Sequence, residues 1–106
     1  MTEEIIETSL TVKNKPKQKH KKPKNFAVIL HNDNYTPMDF VVWVLRTMFN
    51  RTEELAERIT QEIHTKGLGV AGVYHFEIAE QKAMEVSIAA KQNEFPLQVS
   101  VEEVGA

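Results

Sequence analysis

A chain of 106 residues that is 42% hydrophobic and 26% charged suits one small domain with room for a tail. It has no cysteine, which excludes a disulfide framework and any thiolate nucleophile or metal ligand. No apolar run nears the ~20 residues of a membrane span, and no apolar segment follows the acidic start Met1-Thr2-Glu3-Glu4 as it would in a secretion signal. A soluble, cytoplasmic protein with no membrane partner is therefore expected.

Charge is unevenly placed. Residues 1–24 hold seven lysines and three glutamates, a net of +4, whereas 25–106 hold six Lys and Arg against twelve Asp and Glu, a net of −6. The stretch 11–24 has two prolines, no acid and a single apolar residue, Val12. It cannot bury enough apolar surface to offset the entropy of ordering, so 1–24 is expected to be a disordered, Lys-rich extension before a folded domain over 25–106. A basic run is also one form of nucleic-acid arm. The acidic domain behind it would repel phosphate, so a tether or a segment for an acidic protein partner fits better and no nucleic-acid partner is expected.

The first element is the apolar run Phe26-Ala27-Val28-Ile29-Leu30, a strand. A polar loop follows, Asn32-Asp33-Asn34-Tyr35, rich in residues whose short side chains bond nearby backbone. Thr36 is the expected N-cap of the next helix, with Pro37 in its first position and Asp39 in its first turn. Phe40, Val41, Val44, Leu45 and Met48 give that helix, about 37–49, one broad apolar face. Val42 and Trp43 fall off it, so Trp43 should be partly exposed.

Thr52 can cap a second helix, with Glu53 and Glu54 in its first turn, the row Leu55, Ile59, Ile63 along it, and Gly67 as its stop. The segment 68–74 is a strand thinned by glycines, which suggest a bulge or a close backbone approach. A third helix over about 76–91 has the small face Ala79, Ala83, Val86, Ala90 and a weak cap in His75. After Pro96, the alternation Leu97, Val99, Val101 is a strand with one buried face, and Val104-Gly105-Ala106 should fray. The order is β-α-α-β-α-β: an α+β domain of three helices on a small three-stranded antiparallel sheet.

The sequence has no phosphate-cradling glycine loop, no metalloprotease HExxH and no serine-hydrolase GxSxG. A metal site from His31, Asp33 and His64 lacks ligand spacing, and a hydrolase on Asp33 and His64 lacks a nucleophile, so neither an enzyme nor a metal or cofactor is expected. The loop can instead hold a cation. Asn32 offers an amide oxygen, Asp33 a carboxylate and His64, if its helix end lies beside the loop, a ring nitrogen; each accepts a hydrogen bond from an ammonium group, the histidine only in its neutral form, which the helix C-terminus and Asp33 both oppose. The plainer alternative is a capped connection beside a helix-end histidine that the dipole favours.

The block from Val28 through His31-Asn32-Asp33-Asn34-Tyr35-Thr36-Pro37-Met38-Asp39-Phe40-Val41 closely resembles the ClpS family of bacterial Clp protease adaptors. The likeness continues at His64, Lys66-Gly67, Gly72-Val73, Glu77-Ile78-Ala79-Glu80-Gln81-Lys82 and Glu94-Phe95-Pro96-Leu97, and covers about residues 25–102. The family is known for N-degron recognition: its members bind substrates that begin with Phe, Leu, Trp or Tyr and hand them to the AAA+ unfoldase ClpA for degradation by ClpP. The resemblance implies that Asn32, Asp33 and His64 hold the substrate's α-amino group. It implies a side-chain pocket walled by Thr36, Met38, Val41, Thr60, Ile63 and Leu97, with Met38 as a gate against β-branched residues. Glu77 and Lys82 would dock on the ClpA N-terminal domain, and residues 1–24 would engage ClpA during delivery by a monomeric adaptor.

Two positions depart from the family pattern. Asn34 stands where many members have Asp, which removes a charge near the amino group and relaxes the preference for the second substrate residue. Thr60 stands where a larger apolar residue is frequent, which makes that wall roomier or more polar. A competing function is a plain interaction domain resembling the C-terminal domain of the ribosomal stalk protein, working through the surface around Glu77 and Lys82. The loop motif argues against it, on the view that capping requires neither Asn32 nor Asp33.

Overall fold

The computed structural model describes residues 24–105. The extension expected to be disordered thus lies outside the described residues, apart from Lys24, whose ammonium is 3.6 Å from the Glu103 carboxylate. The elements are β1 (Asn25–His31), α1 (Met38–Thr47), α2 (Glu53–Lys66), β2 (Leu68–Tyr74), α3 (Phe76–Gln92) and β3 (Gln98–Val104). The sheet has the order β2-β1-β3 with both pairings antiparallel, the α+β arrangement the sequence predicts.

β1 is the central strand, which explains its unbroken apolar run: Ala27, Val28, Ile29 and Leu30 are all buried. Val28 and Leu30 enter the main core, where they meet Val44 and Leu45 of α1, Ile59 and Ile63 of α2, and Val86 and Ala90 of α3. The outward row of β2, Leu68, Val70 and Val73, stays exposed. Along β2 the register slips by one residue: Val28 faces Gly72 and Ile29 faces Val70, with Ala71 bulged between them. The bulged carbonyl of Ala71 accepts a hydrogen bond from Arg51 Nε at 3.0 Å. A Cβ on Gly69 would lie 2.8 Å from Ile63 Cγ1, so the missing side chain is what lets β2 press against α2. The glycines mark both a bulge and a close approach.

The helix ends obey local chemistry. Thr52 Oγ1 accepts the Leu55 N–H at 3.2 Å, and Gly67 closes α2 at φ 96°, where a Cβ would be strained. His75 precedes α3 without a side-chain cap, as its residue type suggested. Trp43 is 47% exposed on the outer side of α1.

Two expectations are corrected. Thr36 is not the N-cap of α1: its hydroxyl donates to Asp33 Oδ2 at 2.7 Å, and the carbonyl of Pro37 accepts the Phe40 and Val41 N–H groups instead. Pro37 itself is extended, at φ −65° and ψ 145°, and takes the cap position, so the helix starts one residue later, at Met38. Val104 does not fray, because it pairs with Asn25 at the end of β3. Among the described residues no helix is long and apolar enough to cross a membrane.

Candidate functional site

The loop between β1 and α1 is built around Asp33. Its Oδ1 accepts the N–H groups of Tyr35 and Thr36, each at 2.7 Å, and its Oδ2 accepts the Thr36 hydroxyl at 2.7 Å. Capping of this loop therefore does use Asp33, contrary to the view that a structural role would not need it. Burial alone would raise the Asp33 carboxyl, but the hydroxyl of Thr36 and the two N–H groups outweigh it and hold the group below its ordinary range. The loop carries a fixed carboxylate. A carboxylate has about four acceptor positions; the three bonds leave room for one more donor.

The second half of the site comes from α2. The Asn32 N–H donates to the Gly67 carbonyl at 2.9 Å, so the turn that ends α2 is tied to the loop that begins α1. That bond brings the last turns of α2, with Thr60, Ile63 and His64, beside Asn32 and Asp33. Their spacing of three and four residues puts them on one helix face. Met38 and Val41 from the first turn of α1 and Leu97 from the lead-in to β3 complete the walls.

The result is one pocket lined by His31, Asn32, Asp33, Thr36, Met38, Val41, Thr60, Ile63, His64 and Leu97. It gathers every residue singled out for the amino group and for the side chain. His31, weighed in the sequence only as a metal ligand, is the addition to that set. Its Nε2 shares a hydrogen bond of 2.8 Å with Ser100 Oγ of β3; its place at the end of the apolar strand, next to Asn32, was the available signal. Asn34 lies exposed on the same loop and outside the lining. Thr60 is 6% exposed and its hydroxyl donates to the Ala56 carbonyl at 2.8 Å, so the wall it offers is apolar in character.

The cavity volume is about 20 Å³, on the scale of a single water molecule. A large side chain enters only if a wall yields. Met38 is the wall best suited to yield, being half exposed and unbranched. Chemically, the arrangement offers a carboxylate, an amide and an imidazole at the rim of an apolar slot. Among the described residues, no three of His, Asp or Glu gather as metal ligands.

Glu77 and Lys82 lie away from this pocket, on α3. Glu77 is exposed in the first turn. Lys82 is partly buried: its Nζ donates to the Met48 carbonyl at 2.7 Å, just past the C-terminus of α1, and sits 5.8 and 5.7 Å from the ring centroids of Phe49 and Tyr74. The lysine thus also fastens α3 to the end of α1.

Comparison with known proteins gives a consistent answer. Residues 21–100 match the family model described as ATP-dependent Clp protease adaptor protein ClpS. The chain is 47% identical over 96 residues to the ATP-dependent Clp protease adapter protein ClpS of Myxococcus xanthus, covering 91% of this chain and 90% of that one. It is 56% identical over 81 residues to the ClpS of Bdellovibrio bacteriovorus, covering 76% and 71%. Among solved structures, Agrobacterium tumefaciens ClpS2 bound to L-phenylalaninamide superimposes with a TM-score of 0.76 at 37% identity, over 78% of this chain and 100% of that one.

Proposed function

Since the chain belongs to the ClpS family of ATP-dependent Clp protease adaptor proteins, we infer that its pocket reads the first residue of N-degron substrates. The substrates begin with Phe, Leu, Trp or Tyr and are passed to ClpA for degradation by ClpP. The observation that carries this reading is the single pocket in which Asn32, Asp33 and His64 stand beside an apolar slot. L-phenylalaninamide, the molecule bound to the Agrobacterium protein, has the matching chemistry: a free amino group, a phenyl side chain and an amide where a peptide bond would continue.

The energetics support recognition of a chain start. An α-amino group has a pKa near 7.7–8.0 and is mostly cationic at neutral pH. The fourth acceptor position of Asp33 receives it in a charge-assisted bond, worth ~1.5–3 kcal/mol. The Asn32 amide oxygen and a ring nitrogen of His64 accept hydrogen bonds from its other N–H groups. Burial of a large side chain adds ~1.5–3 kcal/mol. An internal residue brings an amide with no charge and fewer donors, which leaves acceptors at the rim of the site without their partner. Discrimination follows from that difference.

Delivery uses other surfaces. Glu77 and Lys82 dock on the ClpA N-terminal domain, the Lys-rich extension over 1–24 engages ClpA, and the adaptor works as a cytoplasmic monomer without cofactor or catalysis. Asn34 relaxes the choice of second residue by removing a charge beside the pocket.

The test is fluorescence anisotropy with two labelled peptides, one with a free N-terminal Phe and one identical but N-acetylated. Binding of the free peptide alone is expected. Equal binding of both would remove the ammonium from the mechanism and favour an interaction module acting through α3.

A further inference from the structure

We propose that an open groove on the outer side of α1 receives the chain's own first ten residues. The groove, about 470 Å³, is lined by Asp39, Val42, Trp43, Arg46 and Arg51 among others. Val42, partly buried against the core, forms its floor, and Trp43 presents an exposed indole there. Two of the six basic residues of an otherwise acidic domain line it. Arg46 meets Glu53 only at 3.8 Å, with both side chains more than half exposed (52% and 65%), a contact that leaves its charge available. Arg51 commits only its Nε, to the Ala71 carbonyl, and keeps its terminal guanidinium nitrogens. Asp39 is the single acid in the lining.

The first ten residues have the complementary chemistry. Glu3, Glu4 and Glu7 surround Ile5 and Ile6, Leu10 follows, and the segment has no basic side chain. An acidic, apolar segment fits a groove with an exposed indole and two guanidinium groups. The Lys-rich stretch after it, itself unsuited to the groove, serves as the connector.

The connection is short enough in space. The chain enters β1 at Asn25, where Phe26 faces Tyr74, and the Tyr74 ring lies 6.3 Å from that of Phe49, just past the end of α1. The entry point and the basic end of α1 therefore share one end of the molecule. The stretch 11–24 spans up to ~46–50 Å when extended, at ~3.3–3.6 Å per residue. A tether of this kind supplies an effective concentration on the order of mM, so a contact too weak to hold separate molecules is populated here. This docking goes beyond the adaptor reading and does not rest on it. Its consequence is a tail that must be displaced from α1 before another partner can take it.

The chain has no cysteine, so a nitroxide on Thr2→Cys is unique in the full-length protein. Amide NMR should then show a several-fold loss of intensity across residues 39–51, reversed by Glu3→Lys, Glu4→Lys and Glu7→Lys together. Trp43 is the sole tryptophan, and its quenching by acrylamide should rise in the same charge-reversed chain. Intensity lost instead at Leu68, Val70 and Val73, or nowhere in the domain, would overturn the proposal. So would broadening along α1 that survives charge reversal, or quenching that does not change. The amide spectrum itself reports that the domain is intact in each variant.

Discussion

Asp33 uses three acceptor positions within its own loop, so removal of its side chain and removal of its charge are different experiments. In Asp33→Asn the amide oxygen can still accept the Tyr35 and Thr36 N–H groups, while the charge is gone. Affinity for a free-Phe peptide should fall by about tenfold or more, as expected for the loss of ~1.5–3 kcal/mol, with a smaller loss of stability than the full side-chain deletion causes. Asp33→Ala should lose both affinity and stability; anisotropy and thermal unfolding separate the two. Acid should expose the same group. Its folded pKa lies below the unfolded value of ~3.9, so its contribution is complete above that pH and fades as pH falls through the folded value. The difference in unfolding free energy between the parent and Asp33→Asn should be largest near neutrality and shrink toward acid, as urea titrations at several pH values would show. The residue types of this site were legible in the sequence. What was not legible was which partner each would choose: Thr36 has the composition of an N-cap, and only the fold reveals that its hydroxyl faces Asp33.

At the scale of elements, the pocket depends on how closely β2 lies against α2. Gly69→Ala would place a methyl 2.8 Å from Ile63 Cγ1, in a core too dense to absorb it without shifting α2. A loss of ~1–3 kcal/mol is expected, together with weaker peptide binding, because Ile63 is also a pocket wall; denaturant unfolding and anisotropy check the two effects. The six elements and their order were readable, since periods of two and of three to four residues are local properties. Termini were less so. Val104 stands beside glycine in the last residues of the sequence, yet its partner Asn25 is at the other end of the domain's sequence, and such a pairing leaves no local trace. Gly69 and Gly72 did announce a bulge, because a strand gives up side chains only where something lies close.

For the whole molecule, the separation of charge between tail and domain suggests a separation of tasks. Removal of residues 1–23 should leave Tm and affinity for a free-Phe peptide nearly unchanged, since among the described residues the pocket lining runs from His31 to Leu97. Degradation of a Phe-fronted substrate by ClpA with ClpP should nevertheless fail, as a gel-based turnover assay would reveal. The groove beside Trp43 illustrates what a sequence withholds at this scale. Arg46 and Arg51 are unremarkable in a chain with thirteen basic residues, and become a feature only when α1 and the turn after it bring them to one surface.

The bond from the Asn32 N–H to the Gly67 carbonyl also has a kinetic meaning. It is the seam between the two halves of the pocket, so the Asn32 amide can exchange with deuterium only while that seam is open. Its exchange rate is thus a clock for how often the site comes apart. A ligand that bridges Asp33 and His64 should slow that clock in proportion to its occupancy, with no label attached to the ligand.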